Sequence, residues 1–202
     1  MSIQARRERE RAERERAIVV AARELAEAEG WDAVTTRRLA AEIEYSQPVL
    51  YSHFKGKDAI MAAVAVQGCG ELADELAAAR AAATDPRQAV AGIAGAYAAF
   101  AERRPALYDA IFNLPTVLPF ATRDVPVDLA RAFAELAETL RPFAGDDDLE
   151  AFTEAFWSGL HGLISLMGSG RLRRAGHERR LALLVDRFTC GGTTPGTDSR
   201  RA

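Results

Sequence analysis

Cysteine is scarce in this sequence, which has only Cys69 and Cys190 among its 202 residues. The two lie far apart and form no pair at the spacing of a zinc site or a redox motif. No disulfide framework is therefore predicted, and a reducing cytoplasm is the expected environment.

Long apolar runs are also missing. No stretch approaches the ~18 apolar residues that a helix needs to span a bilayer, so no contact with a membrane is expected. The first sixteen residues, MSIQARRERERAERER, carry too many charges for a secretory signal peptide. Both observations point to a cytoplasmic protein.

The constellations that mark enzymes are not found either. The sequence shows no nucleophile paired with a base, no phosphate-binding glycine loop and no cluster of metal ligands. His161 lacks a second His, Cys or carboxylate at ligand spacing, so no metal site is expected there. The chain is therefore predicted not to be an enzyme, and no cofactor is expected.

The net charge of −3 is small, but it is unevenly distributed. Residues 1–57 contain 11 Lys and Arg against 10 Asp and Glu, a net of +1. The rest of the chain contains the other 15 and 19, a net of −4. Such a mildly basic amino end neither requires nor excludes a nucleic acid, so the placement of individual residues must decide.

The residues that are abundant, Ala, Leu, Arg and Glu, favour helices, and apolar residues recur at intervals of three and four. No useful run alternates with period two, so an all-α fold is predicted. Gly30 marks a helix end, while Thr35 and Ser46 are good N-caps. The expected helices span about residues 10–29, 35–43, 46–54, 58–83, 85–103, 105–112, 126–141, 147–170 and 175–190.

The stretch SQPVLYSHFKGK, residues 46–57, has two faces when it is placed on a helix. Leu50 and Phe54 point to one side. The opposite sector, about 140° wide, contains Gln47, Pro48, Tyr51 and Ser52. Two short helices joined by a tight turn are typical of a helix-turn-helix, and a glutamine amide can pair with adenine in the major groove. The alternative is a helical hairpin whose polar face has no such use.

The longer segment TTRRLAAEIEYSQPVLYSHFKGKDAI resembles the DNA-binding domain of the tetracycline-repressor (TetR) family of transcriptional regulators. The resemblance covers roughly residues 10–70, and it is carried by Thr35, Leu39, Ala40, Ser46, Leu50, Tyr51, His53, Phe54 and Lys57. It implies a small three-helix domain, and it departs from the family pattern at Glu44, where glycine is usual. The residues that we expect to contact DNA are Thr35, Thr36, Arg37, Ser46, Gln47, Pro48, Val49, Tyr51, Ser52, His53 and Lys57.

Four segments are expected along the chain. They are a flexible basic arm over residues 1–9, a DNA-binding domain over 10–57 with its motif at about 35–54, a ligand-binding and dimerisation domain over 58–190, and a disordered tail over 191–202. The arm has an alternative, because the interleaved Arg and Glu residues of RRERERAERERA can also form a solvated helix with (i, i+4) ion pairs.

The predicted helix from Asp148 to Gly170 has both an apolar band and a separate stripe of small residues. A helix with two such sides must be buried on both, so we expect a second copy of the chain to cover one of them in a four-helix bundle. The expected dimer contacts are Ala155, Ser158, Gly162, Ser165, Ser169, Leu181, Leu184, Val185 and Phe188. The pattern Trp157-x-x-x-His161-Gly162 is similar to a signature of one C-terminal subgroup of the family.

An aromatic cluster with few charges in the middle helices would suit a cavity for a small, mostly apolar ligand. Its candidate lining residues are Tyr97, Phe100, Tyr108, Phe112, Phe120, Phe156, Trp157 and His161, each of which could equally be ordinary core. Residues 113–127 are expected to form a lid or a plain connector. Gly68 and Gly70 would let the helix from Asp58 bend and act as a lever.

These expectations predict a homodimeric DNA-binding transcriptional regulator. The simplest version is a repressor that a small-molecule effector releases from a near-palindromic operator of double-stranded DNA. The alternative is a helical adaptor or interaction protein that dimerises without binding DNA.

Overall fold

The computed structural model describes residues 2–114 and 125–190, and within these ranges the chain forms helices and no strands. The predicted all-α fold is confirmed. Nine α-helices follow one another in these ranges: α1 (Ile3–Glu29), α2 (Thr36–Glu42), α3 (Gln47–His53), α4 (Lys57–Ala81), α5 (Pro86–Arg103), α6 (Pro105–Phe112), α7 (Val127–Ala144), α8 (Leu149–Gly168) and α9 (His177–Thr189). Phe120, most of the predicted 113–127 loop and the predicted 191–202 tail lie outside the described residues.

The chain divides into two compact units whose boundaries differ from the predicted domains. An N-terminal unit comprises Met1–Leu72 and Phe100–Arg131, and a C-terminal unit comprises Ala73–Ala99 and Ala132–Ala202. The helix-turn-helix therefore shares its unit with α6, which the sequence did not associate with it. None of the helices within the described residues combines the length and apolarity that crossing a membrane requires.

Helix α1 begins at Ile3, so residues 3–9 are helical where a flexible arm was expected. Ser2 caps the helix by accepting a hydrogen bond from the amide of Ala5 at 3.2 Å. The guanidinium of Arg6 pairs with Glu10 at 2.8 Å, and that of Arg11 pairs with Glu15 at 2.9 Å. The structure thus adopts the alternative arrangement, a solvated helix held by (i, i+4) ion pairs.

The other end of α1 is fixed to α6 through a capping contact between distant residues. The carboxylate of Glu27 accepts hydrogen bonds from the amides of Ala106 at 3.1 Å and Leu107 at 3.0 Å. These amides lie in the first turn of α6, where no intrahelical partner exists. The indole of Trp31, in a short 3-10 turn after α1, donates to the carbonyl of Ala106 at 2.8 Å. Both contacts lie within the N-terminal unit.

Helix α4 contains Gly68 and Gly70 without interruption. A Cβ placed on Gly68 would lie 2.6 Å from the Cδ1 atom of Leu107 and 2.9 Å from that of Ile111. The function of this glycine is therefore to let α4 and α6 approach closely, which corrects the expectation that both glycines serve a bend.

Candidate nucleic-acid interface

Helices α2 and α3 form the predicted helix-turn-helix around buried apolar side chains. Leu39 and Ala40 of α2 and Leu50 of α3 are buried, and Leu50 is completely inaccessible. The hydroxyl of Thr35 caps α2 by accepting from the amide of Arg38 at 3.2 Å, as predicted. Ser46 occupies the corresponding position before α3, but its side chain makes no capping hydrogen bond.

The turn between the two helices has the hydrogen bonds of a Schellman motif. The amide of Tyr45 donates to the carbonyl of Ala40 at 2.8 Å, and the amide of Glu44 donates to that of Ala41 at 3.4 Å. Glu44 has φ of 56°, the left-handed conformation that usually selects glycine. The turn is therefore formed with the expected geometry despite the unusual residue.

The outer face of α3 presents side chains suited to reading base edges. Gln47, Pro48 and Val49 in its first turn are exposed, and Tyr51 in the next turn is 51% exposed. The phenol oxygen of Tyr51 lies 3.3 Å from the hydroxyl of Thr36, which ties the second turn of α3 to the start of α2. A glutamine amide and small apolar groups can contact adenine and thymine in a major groove.

Besides Thr35, Thr36 and Tyr51, three more of the predicted contact residues make hydrogen bonds within the N-terminal unit. The imidazole of His53 is almost buried and lies 3.3 Å from the carboxylate of Glu15 on α1. The amine of Lys57 donates to the carbonyl of Trp31, and the hydroxyl of Ser52 donates to the carbonyl of Val49 at 2.6 Å. His53 and Lys57 thus hold α3 and α4 against neighbouring elements, which the sequence alone did not predict.

The basic side chains at the margin of this face differ in whether they form ion pairs within the unit. Arg38 forms a two-pronged ion pair with Glu29, which lowers the pKa of that carboxyl. Arg37 and Lys55 are exposed, and neither forms an ion pair with a described residue. The hydrogen bond from His53, together with Arg11, lowers the pKa of Glu15 and keeps that carboxylate ionised. Arg37 and Lys55 are therefore the basic side chains at this margin that no acidic group of the described residues holds, whereas Arg38 is held by Glu29.

Family models match most of the described chain. The model of bacterial regulatory proteins of the TetR family matches residues 18–64, which contain α2 and α3. A tetracyclin repressor-like C-terminal domain model matches residues 90–188. The chain belongs to the TetR family. As a member, it is a DNA-binding transcriptional regulator with a helix-turn-helix, and the family consists of regulators rather than enzymes, as predicted.

Individual TetR relatives are similar over nearly the whole chain. The uncharacterised HTH-type transcriptional regulator Rv0681 of Mycobacterium tuberculosis is 30% identical over 190 residues, which cover 89% of this chain and 85% of the relative. The crystal structure of regulatory protein SCO4313 is 25% identical with a TM-score of 0.70, covering 90% of this chain and 97% of that one. FadR of Bacillus subtilis, solved with stearoyl-CoA, shares the fold at 10% identity and a TM-score of 0.64, covering 88% and 98%.

The aromatic residues predicted to line a TetR ligand pocket fall into both units. Phe100, Tyr108 and Phe112 belong to the N-terminal unit, while the C-terminal unit holds Tyr97, Phe156, Trp157 and His161. In the C-terminal unit the indole of Trp157 donates to the hydroxyl of Tyr97 at 3.1 Å, and its ring lies 5.8 Å from that of His161. Burial lowers the pKa of His161.

A groove of about 540 Å³ lies between α5 and α9 in the C-terminal unit. Its apolar floor includes Ala91, Leu181 and Val185, and none of the predicted pocket residues lines it. The groove was not foreseen, because its walls come from helices that are about 90 residues apart in the sequence.

The predicted dimer residues also separate into two groups. On α8, Ala155 and Ser158 are exposed, and a Cβ on Gly162 would meet nothing within 4 Å. On α9, Val185 is only 5% exposed, and Phe188 packs edge-on against Phe156 at 5.2 Å. The α9 side chains therefore serve mainly to hold α9 on α8. Sequence reasoning missed Leu166 and Leu183, which are 42% and 49% exposed.

Proposed function

We propose that the protein is a cytoplasmic homodimeric repressor that a small, mostly apolar effector releases from a near-palindromic operator. The observation that carries the DNA-reading part is the outer face of α3. There Gln47, Pro48, Val49 and Tyr51 are exposed directly above the fully buried Leu50. In a dimer, two such helices placed about 34–36 Å apart meet successive major grooves of a two-fold symmetric site.

The exposed side of α8 supports the dimer. Ala155, Ser158 and Gly162 let two helix backbones come close, and the exposed Leu166 and Leu183 supply apolar area beside them. A two-fold interface places the same patch on both subunits, so one apolar strip on α8 and α9 suffices for both halves. Val185, one of the expected dimer contacts, is buried within the subunit and does not belong to this patch.

The effector proposal rests on the polar groups carried by the aromatic residues of the C-terminal unit. Trp157, Tyr97 and His161 combine apolar surface with an indole, a hydroxyl and an imidazole that could orient a ligand. FadR of Bacillus subtilis was solved with stearoyl-CoA, a ligand with a long apolar chain. Stearoyl-CoA is therefore a rational first probe, and it must bind the DNA-releasing state better than the DNA-bound state to act.

The decisive experiment is selection of bound fragments from random DNA, with the wild type and Gln47→Ala side by side. We expect a palindromic motif for the wild type and a loss of roughly 1–3 kcal/mol at the base pair that Gln47 contacts. Gln67→Ala is the matched control, because Gln67 is an exposed glutamine on α4. If Gln47→Ala enriched the same motif as the wild type, α3 would not be the element that reads the bases. If wild-type protein refolded from denaturant enriched no motif, the DNA-reading proposal would be rejected.

A further inference from the structure

The first half of α1 is helical, but none of its residues is buried. The buried residues of α1 start at Ile18, and every residue from Ser2 to Arg16 is exposed or half-buried. Most helices of a folded protein are stabilised by packing one face against a core. Here the cap and the ion pairs replace that packing, so this segment remains available for contact with a partner.

The arginines of this segment are not equivalent. Arg6 and Arg11 are paired with Glu10 and Glu15 four residues later. Arg7, Arg9 and Arg14 form no ion pair with any residue that the structure describes, and all three are exposed. Glu10 lies close enough for Arg14 and Arg7 to act on it, but its hydrogen bond is with Arg6. Outside these two ion pairs, four arginines (Arg7, Arg9, Arg14 and Arg16) stand against two glutamates (Glu8 and Glu13), so the segment keeps an excess of two positive charges.

The unpaired arginines lie on different faces of the helix. Arg7 and Arg14 are seven residues apart, so they lie nearly one above the other. Ile18 follows Arg14 by four residues, which places this arginine stripe in line with the face that α1 buries further along. Arg9 projects from the opposite side, about 160° away from Arg7 at ~100° per residue.

The position of α3 relates this stripe to the DNA-reading surface. His53, the last residue of α3, lies 3.3 Å from Glu15, one residue after Arg14. Arg14 is therefore one residue from the point where α1 contacts the C-terminal end of α3, and Arg7 lies two turns further along the helix. A cationic strip next to a helix in the major groove faces the phosphates that flank that groove.

We propose that Arg7 and Arg14 form a second phosphate-binding element, by which the helical extension of α1 grips the DNA backbone beside the helix-turn-helix. This inference rests on the proposed DNA-reading function and adds a partner surface to it. The element adds affinity and not sequence preference, because phosphates carry no base identity. It is also pre-formed, so no ordering of a flexible arm opposes binding.

The test compares Arg7→Gln/Arg14→Gln with Arg9→Gln/Arg16→Gln in the full-length protein. Arg16 lies on the same side as Arg9, and its side chain donates a hydrogen bond to the carbonyl of Ala12 in its own helix. Both variants remove two positive charges and leave both ion pairs intact. Affinity for random duplex DNA and for the selected operator is measured by fluorescence anisotropy at several salt concentrations, and far-ultraviolet circular dichroism checks that helix content is equal.

We expect the Arg7/Arg14 variant to weaken binding to both DNAs by the same factor, so that its preference for the operator is unchanged. The slope of log affinity against log salt should become shallower by about 0.9 for each phosphate that the variant no longer binds. The Arg9/Arg16 variant should keep the wild-type slope. Equal losses in both variants would indicate only long-range attraction and overturn the proposal. The proposal would also be overturned if both double variants kept the wild-type slope of log affinity against log salt while Gln47→Ala lost operator binding. That outcome would leave the proposed function intact.

Discussion

At the scale of single residues, Glu44 has a backbone conformation that normally requires glycine. It is the one non-glycine residue with positive φ in the described part of the chain, and it follows α2 at the turn that sets the angle of α3. The left-handed conformation costs a residue with a Cβ roughly 1–2 kcal/mol. The two Schellman hydrogen bonds and the buried Leu39 and Leu50 on either side of the turn outweigh that cost.

Glu44→Gly should therefore raise the free energy of unfolding by about 1 kcal/mol, measured by urea denaturation. Glu44→Ala is the control, because it removes the same charge and keeps the Cβ. Both variants should bind DNA more tightly than the wild type, since a carboxylate beside phosphates is removed in each. If Glu44→Ala gained as much stability as Glu44→Gly, charge and not backbone conformation would be the cause.

His161 gives the C-terminal unit a defined dependence on pH. Its ring is half-buried beside Trp157, its Nε2 atom lies 3.2 Å from the hydroxyl of Ser165, and burial lowers its pKa below the usual 6.5. The unfolded chain therefore takes up a proton near pH 6.5, while the folded protein takes it up only at lower pH. The stabilisation from keeping His161 neutral is complete above pH 6.5 and is lost as pH falls through the folded pKa.

We therefore expect His161→Gln to reduce the fall in unfolding free energy between about pH 7.5 and about pH 5.5. The comparison with the wild type cancels the contributions of His53, His177 and the carboxylates, which both proteins share. Urea denaturation at the two pH values measures it. An identical fall in both proteins would mean that His161 titrates as freely in the folded state as in the unfolded chain.

At the scale of helices, the sequence predicted what local chemistry determines. Thr35 and Ser46 were expected as caps of α2 and α3. Each stands at the N-cap position, although only the side chain of Thr35 accepts a capping hydrogen bond. The start of α1 was harder, because each (i, i+4) ion pair contributes only ~0.2–0.5 kcal/mol and a flexible arm has nearly the same sequence pattern. The positions of the helices were therefore predictable, whereas the starting residue of α1, whose first half packs against no core, was not.

Contacts between distant residues were beyond what sequence patterns can predict. No sequence pattern singled out Glu27, but its carboxylate caps α6 by accepting hydrogen bonds from two amides that lie 79 and 80 residues further along the chain. His53 and Lys57 matched a DNA-binding pattern, yet their partners are Glu15 and a backbone carbonyl. Polar side chains at a helix end have the same spacing whether they face a phosphate or a neighbouring helix, so periodicity does not separate the two.

The two glycines of α4 provide a test of helix packing. Gly68→Ala should lower the free energy of unfolding by about 1–3 kcal/mol, because its methyl group would overlap Leu107 and Ile111 of α6. Gly70→Ala is the matched control. There the nearest atom is the carboxyl carbon of Asp128 at 3.3 Å, and a gain in helix propensity of about 1 kcal/mol opposes the small shift required.

Thermal and urea denaturation of both variants measure the difference between the glycines. Gly70→Ala is expected to stay within about 1 kcal/mol of the wild type. Equal destabilisation by the two substitutions would show that α4 needs flexibility at both positions. In that case the close approach of α6 would not be the reason for Gly68.

At the scale of the whole molecule, the proposed dimer and the proposed palindromic operator constrain each other. One reading helix presents few base-contacting side chains, and each good pair contributes only ~1–3 kcal/mol of discrimination. Two copies related by a two-fold axis double that contribution and require a palindrome. A variant that prevents dimerisation should therefore lose operator preference even though every residue of α3 is unchanged.

Ser158→Arg tests this coupling. Ser158 lies on the exposed small-residue face of α8 with Ala155 and Gly162. In the proposed dimer, an arginine there would bury an unpaired charge beside its own copy across the two-fold axis. The cost is above about 3 kcal/mol, which raises the dimer dissociation constant more than about 100-fold. Ala134→Arg is the control, because it introduces the same charge at an exposed site on α7.

Sedimentation velocity should show a monomer only for Ser158→Arg. That variant should still bind random DNA but lose its preference for the palindrome. A Ser158→Arg protein that stayed dimeric would place the interface on another surface.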